Sequence, residues 1–448
     1  MTHTKFSQAR IAVIAVALAL AIVAYAVLSS QQLRAATGSD SARGEAEAAI
    51  TKAGVIPKLE STLGGAFGGV WFDPPTLKLH VGVTSVASRE QAEAVAAESQ
   101  LASTVVATKV RSSWNELGDA EDRWYNRLQD LFARGEASIA LLADENAVEV
   151  SLGSAVSSTR LAALKQEATA DEVNVVVEVV PAQSLIGQPG EKCAEFVKFN
   201  ANCDSSITSG VTIEEVNEGG CTAGPLLILE KPANSTQATE TYVLTAGHCF
   251  HPTGVGQKWW ANETKGTAKE LGKVFEWLMP TELVPNIDAG VIKVENAFWT
   301  LGKDPPVEPH RAAWVAGKEH EPAFVSKGEE PAQNMKVCLS GQRSGIRCGE
   351  VTAMKQKVAI EYTEGKLWTT EELAKVAFTA AAGQGDSGGP IYKESEPEVI
   401  VGHYVAFVPE GGVEGEGKVG YFQTLPVTLK RLKTEFTLLT KTNKKRHP

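Results

Sequence analysis

The sequence has few cysteines, and no two of them are spaced as C-x-x-C. Six cysteines occur in 448 residues, and the missing C-x-x-C pair excludes a zinc ribbon and a thioredoxin-type site. Positive charge is also scarce, since 43 lysines and arginines oppose 54 aspartates and glutamates and leave a formal net charge of −11. This balance argues against a nucleic-acid partner, and the short basic tail at 441–448 is read as a solvated end. We predict neither a metal nor a cofactor.

Residues 11–28 contain no charged side chain and form an apolar run behind Lys5 and Arg10. A run of this length and position fits a signal peptide, and it is close to the minimum for a membrane-spanning helix. The sequence therefore leaves two alternatives for residues 1–30, a cleaved signal peptide and an uncleaved membrane anchor. Both predict that the rest of the chain is exported, either secreted or tethered to the outer face of the cell membrane through this segment alone.

Residues 56–182 contain an internal repeat. In each copy a turn, marked by Asp73 in the first and Asp144 in the second, separates an apolar stretch from a stretch of alternating apolar residues. A helical stretch and a β-branched stretch then follow in the same order. We read the copies, at about 56–112 and 136–182, as two β-β-α-β units that each form a small α+β layer. Neither unit contains a concentrated set of catalytic residue types.

Composition marks the remaining boundaries. Residues 31–55 are polar and alanine-rich, which indicates a linker with a short helix around 46–52, and 183–205 is read as a second linker. From residue 206 to 440, short apolar stretches recur between glycine, proline and asparagine, a pattern typical of a β-sandwich or a pair of β-barrels. The chain is expected to close with an amphipathic helix whose apolar positions are Leu429, Leu432, Phe436 and Leu439.

The most informative stretch is Gly383-Gln-Gly-Asp-Ser-Gly-Gly-Pro390, which is too rich in glycine for a helix or a regular strand. Glycine reaches turns that other residues resist, so such a loop can hold its backbone N–H groups outward. Ser387 is then a candidate nucleophile, and the N–H groups of Gly385 and Ser387 are candidates for an oxyanion hole. Because a serine hydroxyl is a weak nucleophile, this chemistry requires a base and an orienting acid elsewhere.

Two further motifs in the β-rich region supply these partners. His248 follows an apolar strand in Thr-Ala-Gly-His-Cys, and Asp288 precedes another strand in Asn-Ile-Asp. A neutral imidazole accepts the serine proton and returns it to the leaving amine, while a buried carboxylate fixes the imidazole tautomer. We therefore predict that His248, Asp288 and Ser387 form a catalytic triad.

Together these motifs resemble those of the chymotrypsin-like serine proteases, the trypsin superfamily, and are nearest to its bacterial streptogrisin and alpha-lytic protease branch. The similar stretches in the C-terminal part are 220–224, 244–249, 286–292, 337–349 and 385–390. In the N-terminal part, residues 68–81 are similar to the pro-region of the same branch. There such regions assist the folding of the protease and are then cleaved off.

The resemblance implies an all-β double Greek-key barrel for the protease domain at 206–440. An α+β pro-region of two β-β-α-β units and an N-terminal apolar helix would precede it. It also implies hydrolysis of polypeptide substrates through an acyl-enzyme, with the chain's own N-terminal region as a folding partner. Its cysteine pattern implies the bridges Cys221–Cys249 and Cys338–Cys348, which leaves Cys193–Cys203 as the third.

The sequence departs from the family in the specificity pocket. Six residues before Ser387, where trypsin-like members carry an aspartate, this chain has Ala381. A cationic side chain would find no buried counter-charge there, so a preference for Arg or Lys is not expected. Val405 falls near a usual serine and Phe407 near a usual glycine of the strand that lines the pocket, which predicts an apolar pocket. Phe407 fits a position in the barrel core equally well.

Two functions are consistent with this pattern. One is an exported serine endopeptidase made as a precursor with an N-terminal folding region, and the other is a non-catalytic binding or adhesion protein on a protease scaffold. Scaffolds that have lost catalysis usually lack a triad member, whereas this chain keeps all three and the glycines around the serine. The sequence therefore favours the endopeptidase. An esterase of the α/β-hydrolase type is disfavoured because its acid lies between serine and histidine in the chain.

Overall fold

A computed structural model of the chain describes residues 41–180, 185–186, 207, 209–215, 219–229, 240–264, 267–281, 284–296, 311–313, 323–363, 366–409 and 416–440. Within these ranges, no helix has both the length and the apolar composition needed to cross a membrane. The apolar run at 11–28, Cys193, Cys203 and the basic tail at 441–448 lie outside the described residues.

The N-terminal part begins with helices and then repeats one order of strands and helices. Its elements are α1 (41–53), α2 (Val55–Leu63), β1 (Phe67–Asp73), β2 (Lys78–Val83), α3 (Val86–Glu98), β3 (Val105–Lys109), α4 (Trp114–Arg127), α5 (Gln129–Phe132), β4 (Ala137–Leu142), β5 (Ala147–Gly153), α6 (Ser158–Thr169), β6 (Asn174–Val180) and β7 (Leu185–Ile186). The orders β1-β2-α3-β3 and β4-β5-α6-β6 are those of the two β-β-α-β units expected from the repeat.

The first unit is a three-stranded sheet with a helical layer. β1 pairs antiparallel with β2, and β2 pairs parallel with β3. The parallel pair needs a crossover, which α3 provides, and a reciprocal capping box between Ser85 and Ser88 fixes where this helix begins. Side chains from the helices and the sheet, among them Ile50, Leu59 and Phe72, share one apolar core.

The segment assigned to a linker at 31–55 contains a longer helix than the short one expected at 46–52. α1 runs over 41–53, and both Ile50 and Thr51 are fully buried. The helix is stabilised by packing rather than by its alanine content, because one face of α1 contacts the rest of the molecule.

The second unit repeats the same pairing, with β4 antiparallel to β5 and β5 parallel to β6. α4 begins at a capping box between Ser113 and Glu116. Trp124, Leu128 and Leu131 all lie in the core of this unit.

The C-terminal part consists almost entirely of strands. Its elements are β8 (Thr212–Glu215), β9 (Gly219–Thr222), β10 (Leu226–Leu229), β11 (Thr241–Thr245), β12 (Lys258–Thr264), β13 (Thr267–Leu278), β14 (Ala289–Val294), β15 (Arg311–Ala313), β16 (Ala323–Phe324), β17 (Lys327–Gly328), β18 (Lys336–Gly341), β19 (Gly345–Thr363), β20 (Lys366–Gly383), β21 (Pro390–Lys393), β22 (Val399–Val408), β23 (Glu416–Thr424), α7 (Leu425–Arg431) and β24 (Phe436–Leu438). One sheet has the order β24-β10-β11-β14-β13-β12-β8-β9, and a second contains β18-β21-β22-β23-β20-β19. This pair of sheets is the all-β architecture that the motifs predict.

The two sheets enclose separate apolar cores and meet along a third. Trp259 and Phe250 lie in the core of the first sheet, and Phe422 and Val376 lie in that of the second. A further cluster, which includes Ile287, joins residues of both sheets. The loops that end near this junction are therefore held by packing from both sides.

The sheet of the second unit continues into the C-terminal part. β4 pairs antiparallel with β19, so the strand order runs on through β20-β19-β4-β5-β6. The short strand β7 pairs parallel with β19 and antiparallel with β22. The N-terminal part is thus joined to the second barrel by backbone hydrogen bonds.

The expected C-terminal helix is wrong beyond residue 431. α7 ends at Arg431, and Phe436 lies in β24, whose residue Leu438 pairs with Leu227 of β10. The apolar spacing fits both structures, but only a strand satisfies the open edge of β10 while it buries the same side chains.

Candidate active site

The predicted base, His248, lies on a short 3-10 turn that follows β11. The turn begins at Gly247, where a Cβ atom would stand 2.3 Å from the carbonyl oxygen of Leu278. A disulfide joins Cys249, the residue after His248, to Cys221 near the end of β9. Close packing on one side and a covalent bond on the other therefore hold the backbone that carries the imidazole.

The predicted acid, Asp288, directly precedes β14 and is fully buried. The backbone N–H of His248 donates to its Oδ1 at 2.8 Å, and ring Nδ1 of His248 donates to its Oδ2 at 2.7 Å. Burial by itself raises the pKa of Asp288. The charge and hydrogen bonds of His248, with a contribution from the hydroxyl of Tyr362, outweigh burial and hold this pKa below its ordinary value. The ionised carboxylate therefore keeps the imidazole proton on Nδ1.

The other ring nitrogen of His248, Nε2, is buried and has no hydrogen-bond partner among the described residues. With the proton on Nδ1, this atom carries the lone pair that a base needs. Ser387 is also buried, and the adjacent Gly388 lies against Thr245, the last residue of β11. The structure thus brings the serine loop to the strand that leads into His248.

The serine loop has the backbone shape that its glycines suggest. Gly385 and Gly388 have φ values of 95° and 86°, in the left-handed region that favours glycine. The backbone N–H of Thr222 donates to the carbonyl of Ser387 at 2.8 Å, and its hydroxyl donates to the carbonyl of Gly385 at 2.8 Å. The N–H groups of Gly385 and Ser387 find no acceptor in the described part of the chain, so both are available to an oxyanion.

A buried carboxylate, Asp386, braces the loop from within. It accepts backbone N–H groups from Gly383 at 2.9 Å, Arg343 at 3.0 Å and Ser344 at 2.9 Å. Burial raises the pKa of Asp386, and these hydrogen bonds counteract the rise. The carboxylate ties the loop to the turn between β18 and β19.

Tyr362 of β19 is a site residue that the motifs do not reveal. Its ring lies 5.4 Å from the imidazole of His248 between centroids, and its hydroxyl lies 2.6 Å from the hydroxyl of Thr370 on β20. Thr370 in turn forms a β-bridge with Asn286, two residues before Asp288. The hairpin of β19 and β20 therefore closes over the histidine and its acid.

His403 of β22 is a second such residue. It is fully buried, and its Nε2 donates to the backbone carbonyl of Asp288 at 2.9 Å. Burial lowers the pKa of His403 to about 4, so the ring is neutral and supports the backbone of the acid. The available signal in the sequence was a histidine within the apolar stretch 399–408.

Ala381, predicted to line the specificity pocket, lies beside a cation. Its carbonyl oxygen accepts a hydrogen bond from Nε of Arg347 at 2.6 Å, and its side chain is partly exposed.

The structure does not place the other two predicted pocket residues together. Phe407 is 2 % exposed and packs with Phe378 and Tyr404 in the core of the second barrel, whereas Val405 belongs to the cluster that contains Tyr362. A bulge in β22 between residues 404 and 406 explains the separation, because it turns successive side chains toward one face.

The described residues contain two of the three expected disulfides, Cys221–Cys249 and Cys338–Cys348. His248 lies near the first pair and Glu394 near the second, at distances that a shared metal ion would require. Because the sulfurs are bonded to each other, they offer no thiolate ligand, and neither group is suited to a metal.

Two protein families match the chain. Residues 236–424 match the family described as Trypsin, and residues 39–102 match the family described as Alpha-lytic protease pro N-terminal. Among curated proteins the comparison gives no match. The two family matches confirm the resemblance drawn from the motifs.

Several solved structures are similar to the C-terminal part. Protease A of Thermobifida fusca is 22% identical with a TM-score of 0.37, and covers 52% of this chain and 99% of its own. Nocardiopsis protease is 20% identical with a TM-score of 0.37, and covers 52% and 100%. Alpha-lytic protease homolog N4 is 18% identical with a TM-score of 0.36, and covers 50% and 96%.

Proposed function

The chain carries a trypsin-family serine endopeptidase domain behind an alpha-lytic protease pro-region, and we propose that it is exported as a precursor and hydrolyses peptide bonds with Ser387, His248 and Asp288. The observation that carries this proposal is the buried His248–Asp288 pair, whose Nε2 has no hydrogen-bond partner among the described residues. The proposed substrates are polypeptides.

In the first half of the proposed reaction, Nε2 of His248 takes the proton of the Ser387 hydroxyl as the oxygen attacks the peptide carbonyl. The negative charge that develops on the carbonyl oxygen is stabilised by the N–H groups of Gly385 and Ser387. Asp288 stabilises the imidazolium and does not itself take up a proton. His248 then gives its proton to the leaving amine, which departs and leaves an acyl-enzyme.

In the second half, water takes the place of the amine. His248 removes a proton from the water, the hydroxyl attacks the acyl carbon, and the same N–H groups stabilise the second oxyanion. Return of the proton to Ser387 releases the carboxylic acid and restores the enzyme. The peptide bond is thereby hydrolysed without a metal or a cofactor taking part.

Replacement of the nucleophile tests this mechanism. Ser387→Ala and His248→Ala are each expected to lower kcat by about 10⁴–10⁶-fold with the fold retained. A serine-directed organophosphate should add its mass to the native protein and not to Ser387→Ala. Ser395→Ala, which removes a serine outside the site, serves as the matched control. Unchanged peptidase activity in Ser387→Ala would exclude the triad, and a native protein that neither hydrolyses peptides nor takes up the label would favour a non-catalytic scaffold.

The pairing of β4 with β19 supports a folding role for the pro-region. Barrels rich in non-local strand pairing fold slowly, and a strand supplied by an already folded unit offers a template for the hairpin. We expect residues 206–448 alone to refold poorly, and residues 41–182, which include α1, added as a separate chain to restore activity. Refolding of 206–448 to full activity at an unchanged rate would contradict the folding role.

The position of β7 supports cleavage of the link between the two parts. Ile186 pairs antiparallel with Phe407 on the strand that resembles the family's substrate-binding strand. We propose that the chain is cut between Pro181 and Ile207, by the enzyme itself or by another protease. N-terminal sequencing of the mature protein locates the cut, and a mature chain that still begins before Pro181 would contradict it.

Export is proposed from the apolar run at 11–28 behind two cations. Intact mass and N-terminal sequencing of the exported precursor distinguish a cleaved signal peptide from an uncleaved anchor. In the first case the protein is secreted, and in the second it stays at the outer face of the cell membrane. Recovery of all of the protein from the cytoplasm would overturn the proposal.

A further inference from the structure

Helix α1 buries a stripe of polar side chains. Arg43, Glu47 and Thr51 follow one another at intervals of four residues, so they share one face of the helix. Only 8 %, 2 % and 0 % of their surfaces are exposed. Charged side chains on a helix normally face water and are rarely buried without partners. The surface that contacts this stripe must therefore supply ion-pair and hydrogen-bond partners for its side chains.

At the N-terminal end of the stripe, the match is an ion-pair network with β18 and β19. Nη1 of Arg43 lies 2.8 Å from a carboxylate oxygen of Glu350, and its Nε lies 2.8 Å from Glu47 on its own helix. Arg43 also donates to the backbone carbonyl of Asn334. The backbone N–H of Lys336 donates to the second carboxylate oxygen of Glu47 at 3.4 Å.

At the other end, two lysines of the protease domain reach Thr51. The ammonium of Lys393 donates to the hydroxyl of Thr51 at 2.7 Å, and Lys327 donates to its backbone carbonyl. Both lysines pair with Glu329, at 3.3 Å and 3.0 Å. Lys393 is 1 % exposed, so helix α1 covers a charge that would otherwise face water.

We propose that the stripe Arg43, Glu47 and Thr51 is a recognition element through which the protease domain accepts its own pro-region. This inference rests on the proposed function of the pro-region as a folding partner. The contact of β4 with β19 runs through the backbone, which nearly any extended segment can supply. The contact of α1 runs through side chains of defined charge, and a mismatched partner would leave a buried ion unpaired. Strand pairing thus attaches the pro-region to the protease domain, and the side chains of α1 make the contact specific for this pro-region.

Hydrogen exchange in the full chain tests the proposal. Ser387→Ala is the background, so that the chain stays uncut, and the amides of 41–53 are followed by mass spectrometry. Arg43→Glu places like charges beside Glu350 and is expected to lower the protection of 41–53 at least tenfold. Adding Glu350→Arg should restore most of it, because the pair is then re-formed with opposite polarity.

The matched control is Glu45→Lys, which changes charge by the same amount on the exposed face of α1. It should leave protection unchanged, and the amides of α4 serve as an internal reference in every variant. Should Arg43→Glu prevent folding, Thr51→Val removes only the acceptor for Lys393 and is expected to give a smaller loss.

Native protection of 41–53 in both Arg43→Glu and Thr51→Val would overturn the proposal, as would an equal loss in Glu45→Lys or no recovery with Glu350→Arg. None of these readouts uses peptidase activity. A negative result in this experiment therefore does not count against the proposed triad. If the triad proposal is wrong, the hydrogen-exchange result can still be interpreted.

Discussion

At the scale of single residues, Asp288, the acid of the proposed triad, is held by more groups than the motifs supply. In Tyr362→Phe the ring that packs on His248 remains, and the hydroxyl near Asp288 is lost. Loss of a hydrogen bond to a charged group costs about 1.5 kcal/mol, so kcat should fall roughly tenfold. The carboxylate, with one donor fewer, should attract the imidazolium proton more strongly. The acidic limb of kcat/KM against pH is therefore expected to move to higher pH.

The control for this experiment is Tyr421→Phe, which removes the hydroxyl of another buried tyrosine in the same apolar cluster. Its pH profile should overlay that of the native enzyme. If the Tyr362→Phe profile also overlays it, the tyrosine is a packing residue without a role in positioning the acid.

The specificity pocket gives a second residue-scale prediction. Ala381 stands where trypsin-like members carry an aspartate, and Phe407 lies in one core cluster with Phe378 and Tyr404. We expect small or medium apolar side chains before the scissile bond in preference to Arg and Lys, and Phe407→Gly tests whether the buried Phe407 limits their size. Digestion of a peptide library measures both, and cleavage mainly after Arg or Lys would contradict the prediction. Because a truncated core phenylalanine costs about 3–5 kcal/mol, Phe407→Leu is the milder variant and unfolding is measured alongside.

At the scale of elements, the serine loop depends on a glycine that touches β11. A Cβ atom at Gly388 would stand 1.9 Å from Oγ1 of Thr245, and the residue has a positive φ. Gly388→Ala should therefore displace the loop, lower kcat at least 100-fold and destabilise the protein. Gly256→Ala is the matched control, because Gly256 has a φ of 91° and a Cβ atom there would meet no described atom within 4 Å.

Gly256→Ala should show only the backbone cost of about 1–2 kcal/mol, with activity retained. Activity assays and thermal unfolding of both variants distinguish backbone strain at a positive φ from steric overlap with Thr245. Equal effects of the two substitutions would mean that contact with Thr245 is unimportant.

The sequence best predicts the features that depend on residues close together in the chain. His248, Asp288 and Ser387 each lie in a short motif, and the two β-β-α-β units follow from turns and alternation. Tyr362 and His403 could not be assigned, because neither lies in a recognisable motif and each reaches Asp288 only after the barrels close. The C-terminal strand was missed for a related reason, since the open edge of β10 exists only in the fold.

At the scale of the whole molecule, the contact between α4 and the protease domain is expected to respond to pH. Glu121 is 6 % exposed and faces Lys357, with Asp122, Glu372 and Lys355 near it. Burial raises the pKa of Glu121 from 4.5 to about 8 in spite of Lys357. In a released or unfolded chain, the pKa of Glu121 returns to its ordinary value. Between that pH and about pH 8, the docked precursor therefore holds one proton more than the released chain.

Stability from this group is therefore fully present below pH 4.5 and is lost as pH rises toward 8. We expect the protection of α4 amides in the Ser387→Ala chain to be higher at pH 5.5 than at pH 8. Glu121→Gln, which stays neutral, should flatten the difference, and Glu116→Gln on the same helix should not. An equal slope in the native chain and in Glu121→Gln would contradict the assignment.

The continuous sheet has a consequence for the protease after its pro-region leaves. The hydrogen-bonding groups of β19 that β4 satisfies then face water along an open border, where a second copy of the enzyme could add its own strand. That border is interrupted by a bulge, where Lys355 takes a φ of 48°, and it carries Lys357 beside it. A bulge and two cations are features that keep free borders of sheets from joining. We therefore expect that, once the pro-region is released, the β19–β20 hairpin does not pair with the same hairpin of a second copy.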